Sequence, residues 1–339
     1  MSADGTRGDR PVGVREVAER AGVSTQTVSR VINARPGIRD ETRERVQQAI
    51  AELGYRVNNA ARSLGTRRSR TLGVIASDAT LYGPSVGIAA LEAAARARGM
   101  WMATAYADAA DEASVDEALD HLLAQGVDGV ILLAPHVHTL ATLADRATGL
   151  PVVGMHTGAG AARQAEGAGL AVRHLAALGH RRIARLGGPP DWREEEARAE
   201  GFEAAAAACG LTVTHRWSGD WLAGAGHAVA GDAVRAMAED GGPTAIVVAN
   251  DQMALGLVAG LADAGRTVPA DVSVVGFDDN PDAAHYRPAL TTVRLDLAGE
   301  ARRCVAEALG AESGDGVPVD ARPGAPVLVV RASTAPPAS

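Results

Sequence analysis

The 339-residue sequence has little that would cross-link it or hold it in a membrane. Its two cysteines, Cys209 and Cys304, stand far apart and form no CxxC spacing, which argues against a disulfide framework or a zinc site and leaves two buried thiols as the expectation. No apolar run reaches the roughly 18 residues that a membrane span needs, so a soluble globular protein without a membrane partner is expected. Residues Met1 to Arg10 are polar and glycine-rich and lack the apolar stretch of a secretory signal, which points to a cytoplasmic protein with a loose N-terminal tail. Lysine is absent: all 33 basic side chains are arginine. With alanine and glycine so abundant, this reads as the imprint of a GC-rich genome and carries no functional meaning.

What is present is unevenly distributed. Residues 1 to 70 hold fourteen arginines against eight acids, a balance of +6, and the remainder holds nineteen against thirty-three, a balance of −14. A basic head on an acidic body is the pattern of a chain whose one end meets a polyanion. The length suggests two or three domains, and 47% hydrophobic residues suffice for sizeable cores.

The head reads as three short helices. Val14, Val17, Ala18 and Ala21 recur at helical spacing before Gly22. Ser24 is placed to cap a second helix carrying Val28, Val31 and Ile32. A third helix, with Asp40 as its expected N-cap, carries Val46, Ala49, Ile50 and Leu53 and ends at Gly54. Residues 58–70, NNAARSL followed by a basic stretch, form a linker that becomes helical when held. From Thr71, seven apolar runs (TLGVIA, WMATAYA, GVILLA, PVVGM, RIARLG, AIVVAN and VSVVGF) alternate with alanine-rich helical stretches. That alternation implies parallel sheets covered by helices on both faces. Ligands of such sheets sit at the carboxyl ends of the strands, where the loops contain Ser77, His156, Asp191, Asn250 and Asp278. The tail after Arg331 is expected to be disordered.

VREVAERAGVSTQTVSRVIN, Val14 to Asn33, has the spacing and chemistry of a helix-turn-helix. Thr25, Gln26, Ser29 and Arg30 all offer hydrogen bonds near the start of its second helix, where groove-reading side chains cluster. Two ordinary packed helices would leave that clustering unexplained.

This segment resembles the DNA-binding head of the lactose-repressor (LacI/GalR) family. The resemblance continues through ETRERVQQAIAELGY, AARSL, AVRHLAALGHRRIA, VANDQMALG and DVSVVGFDD, nearly the whole chain. It implies a small all-α helix-turn-helix head, residues 1–57, and a hinge helix with linker, 58–70. After these comes a periplasmic-binding-protein-like α/β core, 71–331, with 332–339 as a tail. The core would be two doubly wound parallel-sheet subdomains, the first of residues 71–162 and 296–318, the second of 163–293 and 320–331. By the same resemblance Thr25, Gln26 and Arg30 read bases, with glutamine suited to adenine and arginine to guanine. Thr27, Ser29, Arg39 and Arg43 meet phosphates. Leu64 wedges into the minor groove, and Val57, at a position often proline in the family, loosens the way into the hinge.

The resemblance assigns Arg198, Asn250 and Asp278 as polar ligand contacts, Trp221 as a stacking ring, and Ser77 and Leu81 as cleft residues of the other subdomain. Taken singly, Asp278 reads equally as a helix cap, Arg198 as a surface ion pair and Trp221 as core. His156 stands where the family's namesake has an acid and Leu295 where it has glutamine, which argues against a galactoside in the same pose. The stretch TGAGAARQAEG after His156 is about six residues shorter than in that relative, which removes part of a strand and an apolar cleft position. Leu255 and Tyr286 are implied at a dimer face, matching a palindromic operator. The missing terminal leucine heptad argues against a tetramer.

The implied function is a repressor released from double-stranded operator DNA by a sugar or sugar derivative, with no cofactor and no metal. A purine-type corepressor is the alternative, and a sugar-binding protein or an enzyme a weaker one. GAGAAR at 158 to 163 lacks the third glycine of a dinucleotide loop. His136 and His138 form an HxH without further ligand spacing and read as a solvated loop.

Overall fold

The structure, a computed structural model, describes residues 12–32, 35–55, 69–77, 80–108, 111–133, 136, 139, 143, 146, 149–310 and 321–338. Val57, Leu64, His138 and most of the 58–70 linker lie outside the described residues. Two compact units divide the chain, 1–69 and 70–339.

In the first unit, α1 (Val14–Ala21), α2 (Thr25–Ile32) and α3 (Asp40–Glu52) enclose a small core of Val17, Val28, Val31, Val46 and Ala49. The turn between α1 and α2 requires Gly22, whose φ of 65° is left-handed and whose N–H closes back on α1. Ser24 Oγ accepts the Thr27 N–H at 3.1 Å, so α2 is capped as its sequence suggests. α3 differs: Asp40 is its first residue and Arg39 the cap position, without a side-chain cap. Asp40 and Glu41 instead place negative charge in the first turn, where the helix dipole favours it.

The second unit repeats one topology twice. Strands β1 (Thr71–Ala76), β2 (Trp101–Tyr106), β3 (Gly129–Leu133) and β4 (Val152–Gly154) form a parallel sheet in the order β2-β1-β3-β4. Strands β5 (Arg182–Gly187), β6 (Thr212–Ser218), β7 (Ala245–Val248) and β8 (Ser273–Val275) form a second, in the order β6-β5-β7-β8. The first sheet lies between α5 (Glu112–Ala124) on one face and α4 (Tyr82–Ala97) with α10 (Leu297–Ala308) on the other. The second lies between the pair α6 (Ala159–Ala177) and α7 (Arg193–Ala208) and the pair α8 (Ala223–Met237) and α9 (Asp251–Asp263). The last pair packs backbone to backbone. A Cβ on Gly256 would stand 1.7 Å from the Ala223 carbonyl oxygen and one on Gly226 2.0 Å from that of Met253.

The chain passes from the first sheet to the second after β4 and returns through Leu295 so that α10 packs on α4. It then closes with β10 (Val327–Val329) antiparallel to β9 (Thr292–Arg294) beside α6. Seven parallel strands were expected and eight are present among the described residues. The missed one, β6, is an edge strand whose TVTHRWS mixes polar and apolar residues at exposed and half-buried positions, so it shows no continuous apolar run.

The expectation of a disordered tail is wrong for residues 332–338. Ser333 is fully buried; its Oγ donates to the Val274 carbonyl at 2.6 Å and accepts the Thr291 N–H at 2.8 Å. The Val274 N–H donates to the Ser333 carbonyl, and His180 Nε2 to that of Ala335 at 3.0 Å. Short and polar as it is, the tail supplies the hydrogen bonds that the outer side of β8 would otherwise lack. Among the described residues no helix is long and apolar enough to cross a membrane, and no group of three or more His, Cys, Asp or Glu is placed to hold a metal ion.

Candidate functional site: an interdomain cleft and an exposed recognition helix

In both sheets the strand order reverses at a central pair, β1/β3 and β5/β7. At such switch points the flanking loops diverge and leave a crevice. The two crevices here line one cleft, about 610 Å³ of space that opens in part to solvent. Leu81 and Tyr82 reach it from the start of α4, Leu133 from β3, and His156 from the loop after β4. From the second subdomain come Trp192, Glu194 and Arg198, with Trp221, Asn250 and Asp278 beside them. Leu295 and Leu297 line it at the return crossover.

Arg198 organises the cleft. Its Nε donates to Gln164 Oε1 at 2.8 Å, its Nη2 to Asp278 Oδ1 at 3.2 Å and its Nη1 to the Ala249 carbonyl oxygen. The guanidinium lies 4.0 Å from the centre of the Phe277 ring and 5.6 Å from that of Trp221. Because Arg198 only donates, Gln164 must turn its oxygen to it and its amide nitrogen to His156 Nδ1, 3.0 Å away. Burial pushes His156 down to about 4, against the opposing charge of Glu300. The imidazole is therefore neutral, with Nδ1 accepting and the proton on Nε2. His156 is thereby a hydrogen-bond donor through Nε2.

The two acids in the wall are raised by the same cause. Burial lifts Asp278 to about 6 and Glu194 to about 7, in each case partly offset by the charge of Arg198. Behind them Asp251 is also raised, by burial and by Asp278, while Thr292 Oγ1 at 2.6 Å and the Asn280 N–H at 2.8 Å favour its charged form. Three non-glycine residues of the wall, His156, Trp221 and Asp278, hold positive φ of 62°, 74° and 105°. Such backbone strain gathers where side chains must be aimed at a site.

The sequence-derived cleft residues divide unequally. Leu81, His156, Arg198, Trp221, Asn250, Asp278 and Leu295 all line the cavity, while Ser77 does not. Asn250 is engaged in structure: its Oδ1 caps α9 through the Met253 N–H and its Nδ2 donates to the Trp221 carbonyl. Sequence reasoning missed Trp192, Glu194, Tyr82 and Leu297. Glu194 had a signal, since it stands four residues before Arg198 and so on the same face of α7. The HxH reading fails for His136, which is 8% exposed rather than solvated and bonds Asp191 Oδ2 at 3.0 Å through Nδ1.

On the head, Thr25, Gln26, Ser29 and Arg30 are exposed on α2. Thr27 is half-buried and its hydroxyl bonds Ser24 Oγ at 2.9 Å, while Arg30 Nη2 donates to the Pro36 carbonyl at 2.9 Å. In the second unit Leu255 is 39% exposed on α9. Tyr286 is half-buried, its hydroxyl accepting from Asn280 Nδ2 at 3.1 Å.

Comparison with known proteins agrees with this architecture. Residues 14–58 match the description "Bacterial regulatory proteins, lacI family" and residues 172–334 the "Periplasmic binding protein-like domain". The lactose operon repressor of Escherichia coli (strain K12) is 35% identical over 295 residues, 85% of this chain and 81% of that protein. The HTH-type transcriptional repressor PurR of Erwinia tasmaniensis is 32% identical over 292 residues, 83% of this chain and 84% of its own. Among solved structures, the lac repressor dimer bound to operator and the anti-inducer ONPF superposes with a TM-score of 0.81. It is 32% identical and covers 96% of this chain and all of that one. The chain belongs to the lacI family of bacterial regulatory proteins.

Proposed function

We propose that this regulator grips a two-fold operator through α2 of paired heads and that a sugar or sugar derivative in the cleft releases it. The observation that carries the effector reading is the composition of the cleft. Its walls come from both subdomains, and a buried arginine-carboxylate pair faces two tryptophans. Paired hydroxyls suit Arg198 and Asp278, and the C–H face of a sugar suits Trp221. A ligand touching both subdomains stabilises one closure over the other, and coupling of about 1 to 3 kcal/mol is typical of such linkage. Trp192 and Trp221 meet edge to face, their centres 5.7 Å apart at 65°, so they form no parallel slot for a flat purine. Asp278, Gln164 and Arg198 are bonded into a network with no nucleophile beside a base among the described residues, which suits binding rather than catalysis.

Gln26 and Arg30 are the base-reading candidates, Thr25 a methyl or hydroxyl contact, and Thr27 and Ser29 phosphate contacts. Leu64 keeps its assignment as the minor-groove wedge, and Leu255 and Tyr286 theirs at the dimer face. The protein would act in the cytoplasm, beside the DNA it binds.

The experiment is a thermal-shift screen of the full chain against mono- and disaccharides, sugar phosphates and purine bases. Operator anisotropy at two salt concentrations follows with each hit. A sugar that raises the melting temperature and weakens a steeply salt-dependent DNA affinity supports the reading. A purine that alone stabilises the protein and tightens DNA binding replaces it with a corepressor mechanism. Light scattering should give a dimer, and a tetramer would overturn that assignment.

A further inference from the structure

One acid in the cleft wall is not used by the Arg198 network. Glu194 lies one turn before Arg198 on α7, is 7% exposed, and leaves its Oε2 without a hydrogen-bond partner. Arg198 does not serve it: the hydrogen bonds of its nitrogens run to Gln164, Ala249 and Asp278. A carboxylate oxygen taken out of water and left bare is costly, and such groups in native structures call for an explanation. The remaining ionisable groups of the wall sharpen the point. Among the described wall residues Arg198 is paired with Asp278 and His156 is neutral, so Glu194, when ionised, adds a negative charge with no ion-pair partner of its own.

We propose that Glu194 contacts the ligand and sets its charge class. Its bare oxygen accepts hydrogen bonds from hydroxyl or ammonium groups, so the cleft takes neutral or cationic sugars and rejects carboxylated or phosphorylated ones. This rests on the reading of the cleft as a sugar site. It also pairs two opposite groups: His156 presents a donor at Nε2 and Glu194 an acceptor, so the ligand must offer an acceptor to one and a donor to the other. An anionic sugar would place like charges together in a desolvated space, which discriminates far more strongly than a missing hydroxyl contact. Burial holds the carboxyl up at about 7 against the pull of Arg198, with Glu195 on the same helix and Asp278 after β8 raising it further. A donor from the ligand favours the charged form, so binding releases a proton near neutral pH.

The test is calorimetry on the full chain with galactose, lactose and cellobiose, and with galactosamine, galacturonate and galactose 6-phosphate as charged counterparts. Glu194→Gln and Glu194→Asp are measured alongside, each in two buffers of different ionisation enthalpy. The wild type should bind a neutral sugar at least tenfold more tightly than its carboxylated or phosphorylated counterpart, releasing a fraction of a proton. Glu194→Gln should narrow that ratio severalfold and abolish the proton release, while Glu194→Asp should keep the discrimination. Because the readout is a ratio between ligands, partial loss of folded protein does not mimic it. Equal binding of galacturonate and galactose by the wild type, or an unchanged ratio in Glu194→Gln, overturns the inference and leaves the sugar reading intact. Failure of every carbohydrate to bind overturns both.

Discussion

His136 Nδ1 lies 3.0 Å from Asp191 Oδ2, and the imidazole rests 5.2 Å from the ring of Trp192 at 46°. His136 follows β3 of the first subdomain and Asp191 follows β5 of the second, so the contact fastens the two halves at the mouth of the cleft. An isolated antiparallel bridge between His136 and Trp192 reinforces it. Replacing His136 with alanine should shift the cleft toward an open form and weaken ligand binding by about threefold to tenfold. Global stability should fall by on the order of 1 kcal/mol, because the ion pair is open to solvent at Asp191 while the buried imidazole loses its packing on Trp192. Calorimetry and urea unfolding on the same variant separate the two effects.

Arg198→Ala should cost more in stability, as well as costing binding. Removing the guanidinium leaves Asp278 buried without its partner, which costs on the order of 3 kcal/mol at pH 8 in urea unfolding. Below about pH 6, where Asp278 is already protonated, the deficit should shrink. Arg198→Lys should recover only part of the ligand affinity, since a single ammonium cannot serve Gln164, Ala249 and Asp278 together.

Gly188 lies against the Trp221 ring that lines the cleft. A Cβ there would stand 2.3 to 2.6 Å from three atoms of the Trp221 six-membered ring, so Gly188→Ala must displace it. A shifted tryptophan fluorescence maximum and ligand binding weakened by at least about tenfold are expected. Normal binding with an altered emission spectrum would remove Trp221 from the site.

The acids of the cleft also leave a trace in stability against pH. Glu194 ordinarily titrates near 4.5 and is held up to about 7 when folded, so between those values the folded state keeps a proton that the unfolded state has lost. Its contribution to wild-type stability therefore falls as pH rises through that window, and Glu194→Gln lacks this slope. Relative to the wild type, the variant should gain up to about 3 kcal/mol from pH 4.5 to pH 7 in urea unfolding. His156 works in the other direction, held at about 4 against an ordinary 6.5, which is why the difference between the two proteins is the quantity to measure.

The head was legible from residue spacing alone. Val17, Val28 and Val46 meet in its core because helical periodicity needs only neighbours one turn away, and Gly22 and Ser24 mark the turn by their own chemistry. Seven of the eight parallel strands among the described residues were legible too, as apolar runs that need no partner to be recognised, whereas the polar edge strand β6 and the tail around Ser333 were not. Of the cleft, resemblance supplied Arg198, Trp221 and Asp278 as positions. What those positions do was decided by tertiary packing. His156 is a neutral donor because Gln164, turned by Arg198, occupies its other nitrogen. Glu194 is a bare buried acid because its place in the cleft wall leaves it 7% exposed and, among the described residues, no side chain or backbone group reaches its Oε2. Local spacing sets which face of an element is apolar. The charge and hydrogen-bonding state of a buried group depends on neighbours far along the chain, as Arg198 and Asp278 are at 80 residues apart, and only the folded chain brings them together.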